Sequence, residues 1–170
     1  MRSAPIATVL FALLALVGCG TEPEKSPSFY ADLAQPNVEI DAAAAASMIS
    51  EYRRANGLPA VELDPVLMKL AQEQVRRMAA ANRVTHDPGN RGLAKRLKTA
   101  GVQSERAAEN VGAGYYTIAE AFSGWRDSPS HKENLLLPGA TRMGIATAYA
   151  ANSKYKVFWA LLLAESDKPR

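Results

Sequence analysis

The stretch "KVFWALLLAE", residues 156–165, constrains the fold more than any other part of the chain. From Val157 to Ala164 every residue is apolar. A strand with one face in water alternates apolar and polar residues, and this one does not. It therefore belongs at the centre of a sheet, with helices above and below. "GIATAYA", residues 144–150, is a second run of the same kind, and the intervening "ANSKY", with Asn152-Ser153, suits a hairpin.

The helices that would cover such a sheet come earlier in the chain. Asp41 can accept the unpaired amide hydrogens of a first turn, the alanines after it cost little side-chain entropy, and Gly57 suits the left-handed position past the end. Met48, Ile49 and Tyr52 form the apolar side of this first helix. A second is marked more sharply, by Asp64 as N-cap and Pro65 at the first helical position. Within it Leu67, Leu70, Ala71, Gln74, Val75 and Met78 recur at three and four, and Val61 and Leu63 alternate with Glu62 as a short extended lead-in. "DPGNRGLAKRLKTAG" turns at Pro88-Gly89 and forms a short helix around Leu93 and Leu97, stopped by Gly101. Thr117 with Glu120 is a capping box, followed by the stripe Ile118, Ala121, Phe122 and Trp125. The pattern is an α/β chain, helices first and an antiparallel sheet last, with one core over residues 39–165.

The first residues, "MRSAPIATVLFALLALVGCG", carry one positive charge, Arg2, and an apolar stretch from Ile6 to Val17. That is short of the about 20 residues a membrane span needs, and it matches the central region of an export signal. Leu16-Val17-Gly18-Cys19 resembles the bacterial lipobox, which implies a lipoprotein signal peptide over residues 1–18, acylation of Cys19, and a membrane as partner through that lipid. Gly20, where Asp would resemble an inner-membrane retention signal, favours the periplasmic face of the outer membrane. Residues 19–38 then read as a lipidated N-terminus and flexible tether, and 166–170 as a tail. With Cys19 lipidated, no thiol remains for a disulfide, a metal thiolate or a nucleophile. Lys plus Arg number 20 against 17 Asp plus Glu, and no basic cluster is interleaved with aromatics, so nucleic acid is not an expected partner.

Only two histidines are present. His86 falls in "NRVTHDPGN" past the second helix, His131 in "SPSHKEN" past the Trp125 helix, and Glu109 between them in "RAAENVGAG", at the start of a Gly-bearing loop. This is no local metal motif. Loops at helix ends can nevertheless converge, and two imidazoles with one carboxylate are the minimum set for Zn²⁺ or another divalent cation with an open position. The same trio can do acid and base work. Each residue also has an ordinary reading: His86 capping the second helix or pairing with Asp87, Glu109 accepting loop amides or pairing with Arg106, His131 as a solvated turn residue. Asn110 and Asn134 suit tying loop backbone, Trp125 closes its own helix stripe, and Ser128-Pro129-Ser130 sets the chain direction into His131. No Gly-x-Ser-x-Gly elbow exists, and "GNRGLAKR" lacks phosphate-loop spacing.

Four strings in order, "MISEYRRANGLPAVELDPVLMKLAQEQVRRMA", "VTHD", "AENVGAG" and "AFSGWRDSPSHKENLLLPGATRMGIATA", followed by "YKVFWALLL", resemble the CAP superfamily of cysteine-rich secretory proteins, antigen 5 and pathogenesis-related-1 proteins, in its bacterial SCP-like branch. The resemblance implies a three-layer α-β-α sandwich with a mixed or antiparallel sheet and a surface cleft. In many members the cleft holds two histidines and two glutamates, and some bind a divalent cation such as Zn²⁺. By motif His86, Glu109 and His131 take three of those positions, while the fourth falls on Ser128, beside Asp127. Members resemble lipid or sterol carriers, protein ligands, toxins or, by proposal, proteases. Three functions follow as expectations: a cleft for a divalent metal or small envelope ligand without turnover, a protein-interaction scaffold with a contact patch at Tyr115 and Tyr116, or a hydrolase of envelope peptide or lipid.

Overall fold

The computed structural model describes residues 27–86, 92–104 and 106–166; the expected signal peptide, Cys19, Asp87 and most of the tail lie outside the described residues. The apolar run forms β4 (Val157–Glu165), buried along its length up to the half-buried Glu165. It sits inside a four-stranded sheet of order β1-β3-β4-β2. β4 pairs antiparallel with β3 (Ala140–Tyr149), as the hairpin pattern predicts, and on its other side with β2 (Ala107–Ala113). β1 (Glu62–Leu63) runs parallel to β3, which makes the sheet mixed.

Side chains alternate across β4 and divide the core in two. Val157, Trp159, Leu161 and Leu163 pack with Ile49 of α1 (Ala42–Ala55), Trp125 of α4 (Ile118–Asp127) and Leu135 of α5 (Pro129–Leu135). Phe158, Ala160, Leu162 and Ala164 pack with Leu67, Val75 and Met78 of α2 (Pro65–Ala81) and Leu97 of α3 (Leu93–Thr99). This is the three-layer α-β-α arrangement the sequence predicts.

The caps also form as read. Asp41 accepts from the Ala44 amide at 2.9 Å, and Asp64 from the amides of Val66 and Leu67 at 2.9 and 2.8 Å, contributions of about 1 kcal/mol each. Asp64 also meets Arg142 Nε at 2.9 Å, pinning the start of α2 to β3. α2 lies so close to β3 that a Cβ at Gly144 would run into the Leu67 carbonyl and the Met68 amide. Arg53 is fully buried and donates to four carbonyl oxygens, Pro59 at 2.9, Leu135 at 2.8, Leu137 at 3.1 and Ala140 at 2.7 Å, joining α1 to the α5–β3 connection.

Two expectations change here. Residues 27–38, read as tether, dock on the domain: Leu33 is buried and its amide donates to the Tyr116 carbonyl at 2.8 Å, while Ser28 Oγ donates to Asp41 Oδ2 at 2.6 Å. The packed body therefore begins upstream of residue 39. Glu109 lies in a strand and not at the start of a loop; "AAENVGA" hides its strand character because Glu109 and Asn110 are buried on opposite faces. No helix among the described residues is long and apolar enough to cross a membrane.

Candidate functional site

The candidate site straddles β2, which among the described residues has β4 as its one partner strand and so forms an edge of the sheet. Glu109 shares its face of β2 with Val111, on the α2–α3 side. Its Oε1 accepts from Arg96 Nη2 of α3 at 2.6 Å, and its Oε2 lies 3.0 Å from Nδ1 of His86, which follows α2. The Glu109 and Arg96 side chains are 2% and 4% exposed, whereas His86 is 60% exposed. The hydrogen bond to Glu109 holds His86 above the usual imidazole range, against the effect of burial; the carboxylate charge adds to the rise and the Arg96 charge opposes it. A buried cation thus holds a buried carboxylate, which holds an imidazole at the surface.

Asn110 turns to the opposite face. Its Nδ2 donates to the His131 carbonyl at 3.0 Å, and Asn134 Nδ2 donates to both the Glu109 carbonyl at 3.1 Å and Asn110 Oδ1 at 2.9 Å. These amides tie α5 to the edge strand, the structural part the sequence assigns to them. His131 Nδ1 is 3.0 Å from Ser128 Oγ. Burial lowers the pKa of His131, and the charge of His86 lowers it further, so the two rings lie within electrostatic range of each other. The imidazoles arrive from opposite helical layers around the rim of β2.

His86 and Glu109 are in contact, and His131 joins them through the Asn110–Asn134 ties and through charge. They do not form a ligand cage: among the described residues no group of three or more His, Cys, Asp or Glu side chains is placed to hold a metal ion. Both Glu109 oxygens are engaged, Oε1 by Arg96 and Oε2 by His86 Nδ1, so the carboxylate orients the imidazole and is not presented as a free ligand oxygen. Ser128, at the position where family members carry a second acid, engages His131, and Asp127 turns out to Arg126 at 2.8 Å with its side chain 65% exposed.

Several local readings need correction. His131 is not in a turn but within α5, which starts at Pro129. Arg106 pairs with Glu165 at 2.6 Å and leaves Glu109 to Arg96 and His86. Trp125 is buried as read, its ring edge-on to Trp159 at 6.1 Å between centroids. Tyr115 is not part of an exposed patch: its ring lies against Gly124, where any Cβ would strike the phenol oxygen, and Tyr116 alone of the pair is exposed. Arg96 escaped the sequence reading, although it stands three residues after Leu93 and one before Leu97, on the stripe that faces inward. An arginine on an apolar stripe demands a buried acceptor.

The chain belongs to the CAP family: residues 46–163 match the model of the cysteine-rich secretory protein family. It is 29% identical over 94 residues to the uncharacterized protein YkwD of Bacillus subtilis (strain 168), a match that spans 55% of this chain and 37% of that relative. Among solved structures, an outer surface protein of Borrelia burgdorferi superposes with a TM-score of 0.67 at 21% identity, over 76% of this chain and 98% of that one. An extracellular SCP-domain protein of Bacillus anthracis str. Ames superposes with a TM-score of 0.63 at 24% identity, over 73% of this chain and 40% of its own length. At these identities the two structures speak for the fold.

Proposed function

We propose that this chain is a lipid-anchored cell-envelope protein whose cleft, around His86, Glu109 and His131, binds a small hydrogen-bonding ligand without turning it over. The observation that carries this reading is the Arg96–Glu109–His86 chain. Glu109 has one oxygen neutralised by a buried guanidinium and the other bonded to an imidazole whose protonated form it favours, so its own part is to hold and orient His86, and it is His86 that meets a ligand. The cleft therefore offers His86 Nε2 at the surface, its Nδ1 being bonded to Glu109, beside an imidazole of His131 whose neutral form is favoured and can donate or accept. Such a pair suits an acceptor-rich or anionic fragment more than a cation. The envelope address rests on the lipobox-like Leu16-Val17-Gly18-Cys19, and relatives described as extracellular or outer-surface proteins accord with it.

The test is a pair of titrations on the mature chain and on its H86A/H131A variant, followed through backbone and imidazole resonances. With a digest of anionic cell-wall muropeptides as probe, shifts at residues 86, 109 and 131 are expected in the parent and none in the variant. With Zn²⁺, equal and weak uptake by both proteins is expected. Stoichiometric Zn²⁺ uptake lost in the variant, or silence of the cleft towards muropeptides, overturns the reading.

A further inference from the structure

On the α2–α3 side of the sheet lies a second concavity, a pocket of ≈ 680 Å³ between these two helices. α2 contributes a single stripe, with Val66, Leu70, Glu73 and Arg77 spaced three and four apart. Its charged lining is unbalanced: Lys69, Arg77, Lys95 and Arg96 stand against the one acid Glu73. Glu73 pairs with Arg77 Nη2 at 3.2 Å while its side chain stays 39% exposed, and Arg96 Nη2 pairs with Glu109, so the excess of positive charge rests with the exposed Lys69 and Lys95 at the rim. Arg77 Nη1 is itself shielded and has no hydrogen-bond partner among the described residues, while the side chain as a whole is 33% exposed in the pocket wall, so a small turn of the guanidinium would bring this donor to a bound anion. A cationic donor shut off from acceptors is costly, and native proteins leave few of them. Apart from Thr99 the remaining wall is apolar, with Leu70, Ala100 and Val66, the last one of the few large apolar side chains left at the surface among the described residues. The volume falls within the range of about 300–1,000 Å³ usual for small-molecule sites.

We propose that the α2–α3 pocket is a binding site for a small amphipathic anion, its acidic head (phosphate or carboxylate) held by Arg77 with Lys69 and Lys95, and its short apolar body lying on Val66 and Leu70. The site is separate from the His86 cleft and stands whatever the cleft binds. Arg96 belongs to both walls, giving the pocket a fixed cation whose far side is already committed to Glu109.

Calorimetry and amide-shift mapping test this on the chain from residue 19 onward carrying Cys19→Ser. The probes separate head from body: octyl phosphate and octanoate carry both, inorganic phosphate lacks the apolar body, and octyltrimethylammonium reverses the head charge. The expected result is one equivalent of octyl phosphate or octanoate bound, with shifts confined to α2 and α3, and at least tenfold weaker binding of the other two probes. K69E/K95E should weaken octyl phosphate at least tenfold, and V66D, also at an exposed position, should do the same through the apolar body, with circular dichroism of both unchanged. Equal affinity for the cationic amphiphile, retained affinity in K69E/K95E, or shifts centred on His86 and His131 would each overturn the proposal. So would flotation with phosphatidylglycerol vesicles unaccompanied by any binding of octyl phosphate, which would make the basic rim a membrane contact.

Discussion

Arg53 and Arg96 are both buried arginines, one in each helical layer, and they are held in opposite ways. Arg53 meets four backbone carbonyls and its hydrogen bonds end there. Arg96 meets the Glu109 carboxylate, which hands the interaction on to a solvent-exposed imidazole. Carbonyl groups cannot titrate or leave, so the first arrangement fixes α1 against the α5–β3 connection and nothing more. A carboxylate shared between an interior cation and a surface histidine connects the core electrostatically to whatever touches the surface. Burial of a charge alone does not mark a site; the partner's ability to pass the charge outward does.

The contrast can be broken most forcefully at Arg53. R53M should cost about 4 kcal/mol in urea unfolding, since four interior carbonyls lose their donor, and should leave the His86 titration where it is; near-parental stability would refute the scaffold role. R96M should cost somewhat less, about 3 kcal/mol, and should raise the His86 pKa further, because the Arg96 charge now lowers it. An unmoved His86 in that variant would mean the two ends of the chain are not coupled. E109Q should cost about 2 kcal/mol and drop His86 below the ordinary imidazole value of about 6.5, read from imidazole NMR, because burial and the Arg96 charge, both of which lower it, are what remain.

The smallest effects, under about 1 kcal/mol each at these partly exposed rings, distinguish the two histidines by sign. His86 is raised, so its pairing stabilises the fold fully below about pH 6.5 and fades as pH climbs through its folded pKa. H86A should therefore differ from the parent on the acid side and converge with it at alkaline pH. His131 is lowered, so it penalises the fold increasingly as pH falls below about 6.5, and H131A should relieve that penalty. Parallel pH profiles for the two variants would contradict the opposed environments.

Much of this fold can be read before any coordinates. Val157 to Ala164 demanded cover on both faces and has it, and the caps at Asp41, Asp64 and Thr117 start the helices they announce. β2 was illegible because an edge strand that buries Glu109 on one face and Asn110 on the other shows no alternation of polarity. α5 was masked by Pro129, which reads as a turn and serves here as a first helical residue. The sequence pointed to His86 and Glu109, which the structure brings into contact, and to His131, whose carbonyl meets Asn110 of β2, but not to the charge balance around Glu109, which depends on Arg96 from a separate helix. Arg53, four residues after Ile49 on the inward stripe, was missed for the same reason. In both cases the arginine's periodicity was visible and its acceptors, distant in sequence, were not.

The docking of Leu33 beneath Tyr116 sets how far this domain can wander. With a lipid on Cys19 as proposed, the leash to the bilayer is not the twenty-residue segment its composition suggests, but the eight peptide steps from Cys19 to Pro27. Fully stretched, that is about 28 Å, less than the thickness of the membrane itself. The domain would ride against the lipid headgroups, sampling what lies at the bilayer surface before anything dissolved deeper in the envelope.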